Sequence, residues 1–262
     1  MTLQSLKDPY SVSEPRLQLE QRTNYLCAEY EGTAIIPLLR NFIETSLKQE
    51  LSDIEGPLPK RVLDLGCGGQ PFRGYIEQFN AKYFSMDYFQ NKNERVDVVA
   101  SLEDPGLMGK FGTKAPFDLI LCTEVLEHVF NWDIAFANIY ELSKPGTHVI
   151  ITCPFFFRPH EEPHDYWRPT VHALKMASAA HGFKVIQSLT LGNNWDLLAT
   201  LFGSCYFKLK RPGLFSWITA TAFKVLRRII LSRKGGAFLR RNIEMNANSN
   251  FYLSNAFILE RI

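Results

Sequence analysis

The chain has 262 residues, of which 46% are hydrophobic, with 29 basic and 27 acidic side chains. This length is sufficient for one α/β domain with additions and a full hydrophobic core. The five cysteines are scattered and form no C-x-x-C pair, which excludes a disulfide framework or a zinc finger and indicates reduced thiols. The first residues lack the basic and then apolar order of a signal peptide, so a cytoplasmic location is expected.

Composition and pattern divide the chain into a flank, a core and an insert. Residues 1–56 are predicted to be a helical flank or lid, with a helical pattern at 17–50, and Gly-Pro-Leu-Pro at 56–59 marks the joint with the core. In 57–192 and 251–262, strand patterns alternate with helix patterns, which predicts an α/β core with a doubly wound, Rossmann-like sheet of seven strands. The strands are expected near residues 61–65, 82–87, 96–100, 117–122, 147–152, 182–190 and 251–260.

The first strand runs directly into a glycine-rich turn, in the sequence Arg-Val-Leu-Asp-Leu-Gly-Cys-Gly-Gly at 61–69. Asp64 comes near the carboxyl end of the strand, where open α/β sheets bind their ligands. Gly66 and Gly68 allow a tight turn and a close approach of the backbone to a ligand. The second strand ends in Asp87, 23 residues after Asp64, which is about the spacing at which nucleotide-binding folds place a carboxylate on a ribose. The expected cofactor therefore carries a ribose.

The glycine pattern separates two cofactors that carry a ribose. A dinucleotide fingerprint requires G-x-G-x-x-G, but Pro71 occupies the position of the third glycine. The carboxylate of Asp64 would repel a pyrophosphate, whereas it suits a cofactor with an α-ammonium group. S-adenosylmethionine has this ammonium group and no phosphate. The turn therefore favours S-adenosylmethionine.

Three segments together resemble the class I S-adenosylmethionine-dependent methyltransferases of the small-molecule type. They are the glycine turn, the second strand with its acid, and Phe-Asp-Leu-Ile-Leu-Cys-Thr-Glu-Val-Leu-Glu-His at 117–128; the resemblance covers about residues 60–187. It implies that the methionine end of the cofactor lies at the glycine turn, that Asp87 holds the ribose and that the last strand inserts antiparallel. The cofactor-binding residues are then expected to be Asp64, Gly66, Cys67, Gly68, Asp87, Ser101, Leu102, Cys122 and Glu124.

The third strand departs from the family pattern at its end. Relatives often have an aspartate there that bonds the adenine amine, whereas this chain has Ser101. Ser101 or the nearby Glu103 is expected to take this role.

A loop with four prolines follows the fifth strand at 153–169, and it is expected to lie over the cofactor crevice. Its segment Pro-His-Asp-Tyr-Trp-Arg-Pro-Thr at 163–170 is similar to a signature of a methyltransferase subgroup frequent among bacterial surface-glycan and secondary-metabolite genes. This similarity implies a sugar-like or lipid-linked acceptor. The same loop spells the zinc-protease string H-E-x-x-H, but Pro159 and Pro163 exclude the helix which that site requires, so no metal is expected.

Methyl transfer from a sulfonium is an in-line displacement, in which the protein mainly aligns the reactants and excludes water. A hydroxyl acceptor also requires a base with a pKa near neutral, for which histidine is the natural residue. We favour the two histidines of the loop, with Asp165 orienting one of them; simple hydrogen bonding to substrate is the alternative role for each. The candidate catalytic residues are His164, His160, Asp165 and His128, and the candidate substrate residues are Tyr166, Trp167 and Arg168.

The sequence thus predicts O-methylation of a small polar, sugar-like or lipid-linked acceptor. N-methylation of a small metabolite is the nearest alternative, because an amine needs less help from a base. A catalytically silent scaffold subunit with the same fold also stays open. A dinucleotide oxidoreductase is disfavoured by Pro71 and Asp64.

Residues 193–250 form a basic insert before the last strand. Between Asp196 and Glu244 there are ten basic residues and no acid, which leaves 19 of the 29 basic and all 27 acidic residues for the rest of the chain. This separation of charge points to a negatively charged partner.

Within the insert, residues 214–231 predict an amphipathic helix with cations near its middle, which argues against a transmembrane span. Its apolar face is expected to pack on the domain or on a second subunit, or to contact an anionic membrane surface, so a homodimer and a peripheral location at the inner face of the membrane both stay open. Nucleic acid is disfavoured, since no RNA-binding module is recognisable. The residues of this face are Phe215, Ile218, Ala222, Phe223, Val225, Leu226, Ile229 and Ile230.

Overall fold

A computed structural model of the chain describes residues 35–52, 59–204, 213–244 and 251–262. The first part of the predicted flank and most of the predicted joint at 56–59 lie outside these residues, as do Cys27 and Cys205. The three described cysteines, Cys67, Cys122 and Cys153, are free and buried, in agreement with the expected reduced thiols.

The described strands form one seven-stranded sheet in the order β3-β2-β1-β4-β5-β7-β6. Neighbouring strands among β1 to β5 pair in parallel, whereas β7 inserts between β5 and β6 and runs antiparallel to both. The predicted fold, including its antiparallel last strand, is therefore confirmed. The strands are β1 (Arg61–Leu65), β2 (Lys82–Asp87), β3 (Val98–Val99), β4 (Phe117–Thr123), β5 (Ser143–Pro154), β6 (Phe183–Leu191) and β7 (Ser254–Arg261).

Helices cover both faces of the sheet, since two separate apolar clusters lie against it. The first helix buries Leu39, Ile43 and Leu47 in the cluster that includes Ile150 of β5 and Ile258 of β7. The opposite cluster joins the third, fourth and fifth helices to the sheet. The described helices are α1 (Ile35–Ser52), α2 (Arg73–Glu77), α3 (Leu107–Phe111), α4 (Trp132–Leu142), α5 (Val171–Ala180), α6 (Asn194–Ser204), α7 (Leu214–Leu231) and α8 (Arg233–Asn242).

The parallel register gathers the functional segments at one edge of the sheet. Leu65 of β1 pairs with Met86 of β2 and with Cys122 of β4, so these three strands end side by side. The glycine turn, Asp87 and the segment 124–130 consequently follow their strands at the same carboxyl edge, which is where ligands bind in such sheets. The loop after β5 leaves from this edge as well.

The helices α6, α7 and α8 lie between β6 and β7 in the chain, where the sequence predicts the basic insert. Within the described ranges, no helix is long and apolar enough to cross a bilayer.

Candidate active site

The glycine turn after β1 is tightly packed. Gly66 has a φ of +68°, and a Cβ atom added there would come within 2.3 Å of Val125 Cγ2. Cys67 N donates a hydrogen bond to Met86 O at 3.0 Å. Glycine is therefore required at position 66 both by the left-handed backbone and by the close approach of the segment that follows β4.

Asp64 is buried beside this turn and accepts a hydrogen bond of 2.6 Å from the Tyr83 hydroxyl. Burial raises the pKa of Asp64 to about 7, and the nearby Asp87 carboxylate adds to the shift. A carboxyl in this state is poised to become fully ionised when a cation arrives. This property fits the predicted contact with an ammonium group.

Asp87 is buried at the end of β2, where it ties the turn to the second strand. Its Oδ2 accepts from Gly68 N at 2.8 Å, and its Oδ1 accepts from Phe89 N at 3.2 Å. These two bonds give the carboxylate a positioning role in the turn. The ribose contact stays a prediction.

The segment after β3 is held by local hydrogen bonds. Ser101 Oγ accepts from Glu103 N at 3.0 Å, and Glu103 Oε1 accepts from Asn131 N at 2.7 Å. Leu102 is buried, and its carbonyl accepts from the Asn138 side chain at 2.7 Å. Asn138 is a residue that sequence reasoning missed; the available signal was an amide among the apolar residues of α4, where a buried amide needs partners.

The buried Cys122 lies near the end of β4, and the half-buried Glu124 begins the segment that follows it. Glu124 has a φ of +53°, its N–H donates to Thr152 O at 3.0 Å, and its Oε1 accepts from the Ser254 hydroxyl at 3.0 Å. Burial raises the pKa of Glu124 to about 7. Burial likewise raises the pKa of the Cys122 thiol, which therefore stays protonated.

A buried carboxyl with two histidines lies just beyond this segment. Glu127 is 0% exposed, and its Oε1 has no hydrogen-bond partner among the described residues. His128 Nε2 is 3.7 Å from this oxygen, and His160 Nε2 is 4.0 Å from it. Burial, together with Glu124, holds the pKa of Glu127 well above its usual range. We call Glu127, His128 and His160 the acid–imidazole cluster.

Each histidine of the cluster is oriented through its other ring nitrogen. His128 Nδ1 lies 2.6 Å from the His164 carbonyl oxygen, which can only accept, so His128 carries a proton on Nδ1 and a lone pair on Nε2 when neutral. His160 N donates to Asp165 Oδ2 at 2.8 Å, and its Nδ1 lies 3.3 Å from the Arg158 carbonyl oxygen and 3.5 Å from both Asp165 Oδ2 and Arg168 Nη2. Burial and the neighbouring His128 lower the pKa of His160.

Asp165 and Arg168 brace the loop. The guanidinium donates to Asp165 Oδ1 at 2.6 Å and to Oδ2 at 2.7 Å. Burial opposes ionisation of Asp165, but the Arg168 guanidinium outweighs it and lowers the pKa of this carboxyl. The positive charge of Arg168, a predicted substrate residue, is therefore paired with Asp165 in the same loop.

The structure separates the two loop histidines that the sequence proposes as bases. His160 joins the acid–imidazole cluster, whereas the exposed His164 side chain places Nδ1 2.9 Å from the Tyr166 hydroxyl. Asp165 therefore orients His160. His164 contributes through its backbone carbonyl, which fixes His128.

Aromatic side chains form an exposed surface beside the cluster. Tyr166 N and Trp167 N both donate to Glu127 O, at 2.8 and 3.3 Å, and thereby dock the loop on the segment after β4. Phe130 is 66% exposed, and its ring lies 5.4 Å from the Tyr166 ring and 6.5 Å from the Trp167 ring. Phe130 was missed in the sequence, where a phenylalanine shortly after the His128 motif was the available signal.

The segment 160–164 is not helical, so the structure agrees with the rejection of the H-E-x-x-H zinc motif. A different set, the acid–imidazole cluster, has donor atoms within 4.8 Å of one another. Its separations of 3.7 and 4.0 Å exceed the roughly 3.4 Å between ligand atoms of a tetrahedral zinc site. These separations also exceed the length of a direct hydrogen bond, so the three groups, as placed, are neighbours without a direct bond between their facing atoms.

Comparison with known proteins identifies the family. A family model described as a methyltransferase domain matches residues 39–188, which is more than half of the chain. A search of curated proteins finds no match.

Two solved structures are similar to this chain. The 1,6-didemethyltoxoflavin-N1-methyltransferase of Burkholderia thailandensis, with bound 1,6-didemethyltoxoflavin and S-adenosylhomocysteine, is 14% identical over 92% of this chain and 87% of its own, with a TM-score of 0.51. A SAM-dependent methyltransferase from Archaeoglobus fulgidus is 15% identical over 85% and 94%, with a TM-score of 0.49. The S-adenosylmethionine-dependent class predicted from the motifs is confirmed by the family match, and the chain belongs to the methyltransferase-domain family.

Proposed function

We propose that the protein transfers a methyl group to a hydroxyl oxygen of a small polar, sugar-like or lipid-linked acceptor. The observation that carries this proposal is the acid–imidazole cluster at the carboxyl edge of the sheet, beside the glycine turn. S-adenosylmethionine, when bound, supplies the activated methyl group. The residues of the chain have to hold both reactants in line, exclude water and accept the proton of the hydroxyl.

The turn and the two acids are the groups that we assign to cofactor binding. Asp64 offers a carboxyl whose ionisation a cationic ammonium group favours, and Asp87 offers a buried carboxylate at the end of β2 for the ribose. Asp87 also fixes the Gly68 backbone, so its two roles reinforce each other.

His160 is the base that we assign. Its lowered pKa keeps the imidazole neutral at physiological pH, with Asp165 holding the ring from the Nδ1 side and leaving Nε2 for a proton. When Nε2 takes the hydroxyl proton, the imidazolium forms 4.0 Å from the Glu127 carboxyl. The positive charge then favours ionisation of Glu127, so the cluster stabilises the charge that develops on the base. His128, whose Nε2 faces the same oxygen, is the second candidate.

The aromatic surface of Phe130, Tyr166 and Trp167 is the acceptor platform in this proposal. An exposed face of aromatic rings suits a sugar ring or another flat apolar group, because stacking buries area at a low loss of side-chain freedom. The Trp167 ring is fixed by a bond of 2.9 Å from Nε1 to Val129 O. The platform and His160 are connected through the same loop.

N-methylation of a small metabolite is the alternative reaction. An unprotonated amine needs no base, so removal of His160 would leave its methylation largely intact. A silent scaffold subunit would bind the cofactor and turn over no acceptor.

The test has two stages. Calorimetric titration with S-adenosylmethionine, with NADH as the control, should show binding of the first alone; binding of NADH instead would overturn the cofactor assignment. Transfer of labelled methyl to a panel of hydroxylated sugars, phenols and amines then identifies the acceptor class. Turnover of hydroxyl acceptors that is lost in His160→Gln supports the proposal, whereas turnover of amines alone, unaffected by this variant, contradicts it.

We also propose a cytoplasmic location, on the support of three free buried cysteines in the described chain. Free thiols are typical of a reducing compartment, whereas oxidising compartments favour disulfides. Fractionation of cells tests the location.

A further inference from the structure

Most of the apolar face of α7 is left uncovered by the residues that the structure describes. Phe215 is 79% exposed and Ile218 51% exposed, whereas Ile230 is 6% exposed. Four further apolar residues of the predicted face are at least 42% exposed, so packing on the core does not account for this face. They are Phe223, Val225, Leu226 and Ile229.

Cations lie on the other side of α7 and along α8. Lys224 and Arg228 are exposed on α7, and Lys234 and Arg241 are exposed on α8. Lys224, Arg227 and Arg228 also line a cavity of about 550 Å³. Arg227 donates to Phe202 O at 2.7 Å, which fixes α7 against α6.

The charges decide between the possible partners of this surface. A second copy in a symmetric dimer would place like charges together, since the chain has no acid between Asp196 and Glu244 to pair with its ten cations. A nucleic acid would be served by the cations but would leave the apolar face in water. An anionic lipid surface satisfies both parts, because its headgroups attract cations and its interface accepts apolar side chains to a shallow depth.

We propose that α7 and α8 dock the protein on the surface of an anionic phospholipid bilayer, with α7 lying in the plane of the interface. Phe215, Ile218 and Leu226 enter the interface, and Lys224 and Arg228 contact the headgroups. This inference does not depend on methyl transfer, because it involves none of the residues assigned to the cofactor, the base or the acceptor.

The experiment is cosedimentation of the full chain with vesicles, without cofactor or acceptor. We expect binding to vesicles of phosphatidylcholine mixed with phosphatidylserine, little binding to phosphatidylcholine alone, and loss of binding as salt increases. Leu226→Asp should abolish the interaction, and each of Lys224→Glu and Arg228→Glu should weaken it at least about fivefold. Met176→Asp and Lys184→Glu, which change exposed residues of α5 and β6, are the matched controls and should bind as the parent does.

Three results would overturn the proposal. One is a failure of the parent chain to sediment with the anionic vesicles while its binding of S-adenosylmethionine shows that it is folded. Another is unchanged vesicle binding by the α7 variants. The third is a concentration-dependent dimer, dissociated by Leu226→Asp, in a protein that ignores vesicles, since a second copy would then cover the face.

Discussion

The carboxyl edge of the sheet and the α7–α8 surface use charge in opposite ways. At the edge, Asp64 and Glu127 are buried, and burial raises their pKa values. On α7, the cations Lys224 and Arg228 are exposed to solvent, and so are apolar side chains such as Phe215. The first arrangement stores electrostatic free energy that a bound cation or a transferred proton releases, which suits chemistry; the second leaves apolar area to be buried on association.

The largest effect that would sharpen this comparison is expected at Gly66. In Gly66→Ala the left-handed backbone and the 2.3 Å approach to Val125 act together, so we expect a loss of about 2–5 kcal/mol of stability and no measurable cofactor binding. Gly112→Ala is the matched control, because Gly112 has a φ of +50° and no atom within 4 Å of the added Cβ. Because its ψ of −127° is also unfavourable for alanine, Gly112→Ala should lose about 1–3 kcal/mol of stability in denaturant titrations but bind S-adenosylmethionine normally. Equal losses of cofactor binding in the two variants would contradict the assigned role of the turn.

The next effect concerns the base. His160→Gln should lower kcat by about 10²–10⁴-fold with little change in the Kd of S-adenosylmethionine, because it removes the proton acceptor. His164→Gln is the matched control and should keep most of the activity, since the exposed imidazole lies outside the cluster. Because the pKa of His160 is lowered, the rate of the parent should be constant through neutral pH and fall only at acidic pH, as the imidazole is protonated.

A metal-free reaction is part of the same prediction. Treatment with a chelator should leave the rate unchanged, since the cluster acts through protons. Inactivation by the chelator, with recovery on addition of a divalent ion, would instead make Glu127, His128 and His160 ligands and remove His160 from the base role.

A smaller effect is expected for Asp87→Asn. The amide keeps an acceptor for Gly68 N but removes the negative charge, so the Kd of S-adenosylmethionine should rise about 10- to 100-fold with little change in melting temperature. Asp97→Asn alters a carboxylate just before β3 that accepts a hydrogen bond from Ser85 N at 2.9 Å, and it should leave the Kd nearly unchanged. Isothermal titration measures both, and an unchanged Kd in Asp87→Asn would remove this residue from the ribose role.

The smallest effect is a pH-dependent gain of stability in Glu127→Gln. A carboxyl whose pKa is raised in the folded state binds more protons there than in the unfolded chain, so its burial destabilises the protein increasingly as pH rises above the ordinary value of 4.5. The variant should therefore melt at a higher temperature than the parent near neutral pH and at a similar one below pH 4.5. A gain in melting temperature that is independent of pH would contradict the raised pKa and would show that the surroundings of Glu127 compensate its negative charge.

Much of the cofactor edge could be predicted from the sequence. The run at 61–69 and the acid at Asp87 are local patterns, in which a buried strand passes into a turn that only glycine permits, and the parallel sheet brings their ends together. The acid–imidazole cluster could be predicted only in part. Glu127 and His128 are neighbours in the chain, but His160 belongs to the loop after β5, and the docking of Tyr166 N and Trp167 N on Glu127 O selects His160 over His164.

The sequence by itself determined that a strand passes directly into the glycine turn, which class of cofactor is expected, and that 214–231 is amphipathic, since each depends on residue spacing along the chain. Only the tertiary structure decided which histidine meets Glu127, that Asn138 holds the segment after β3, and that the described part of the chain leaves the apolar face of α7 exposed. The physical reason is that hydrogen bonding and burial between distant segments depend on packing, and the same amphipathic pattern is compatible with a helix packed on the core and with one exposed to a partner.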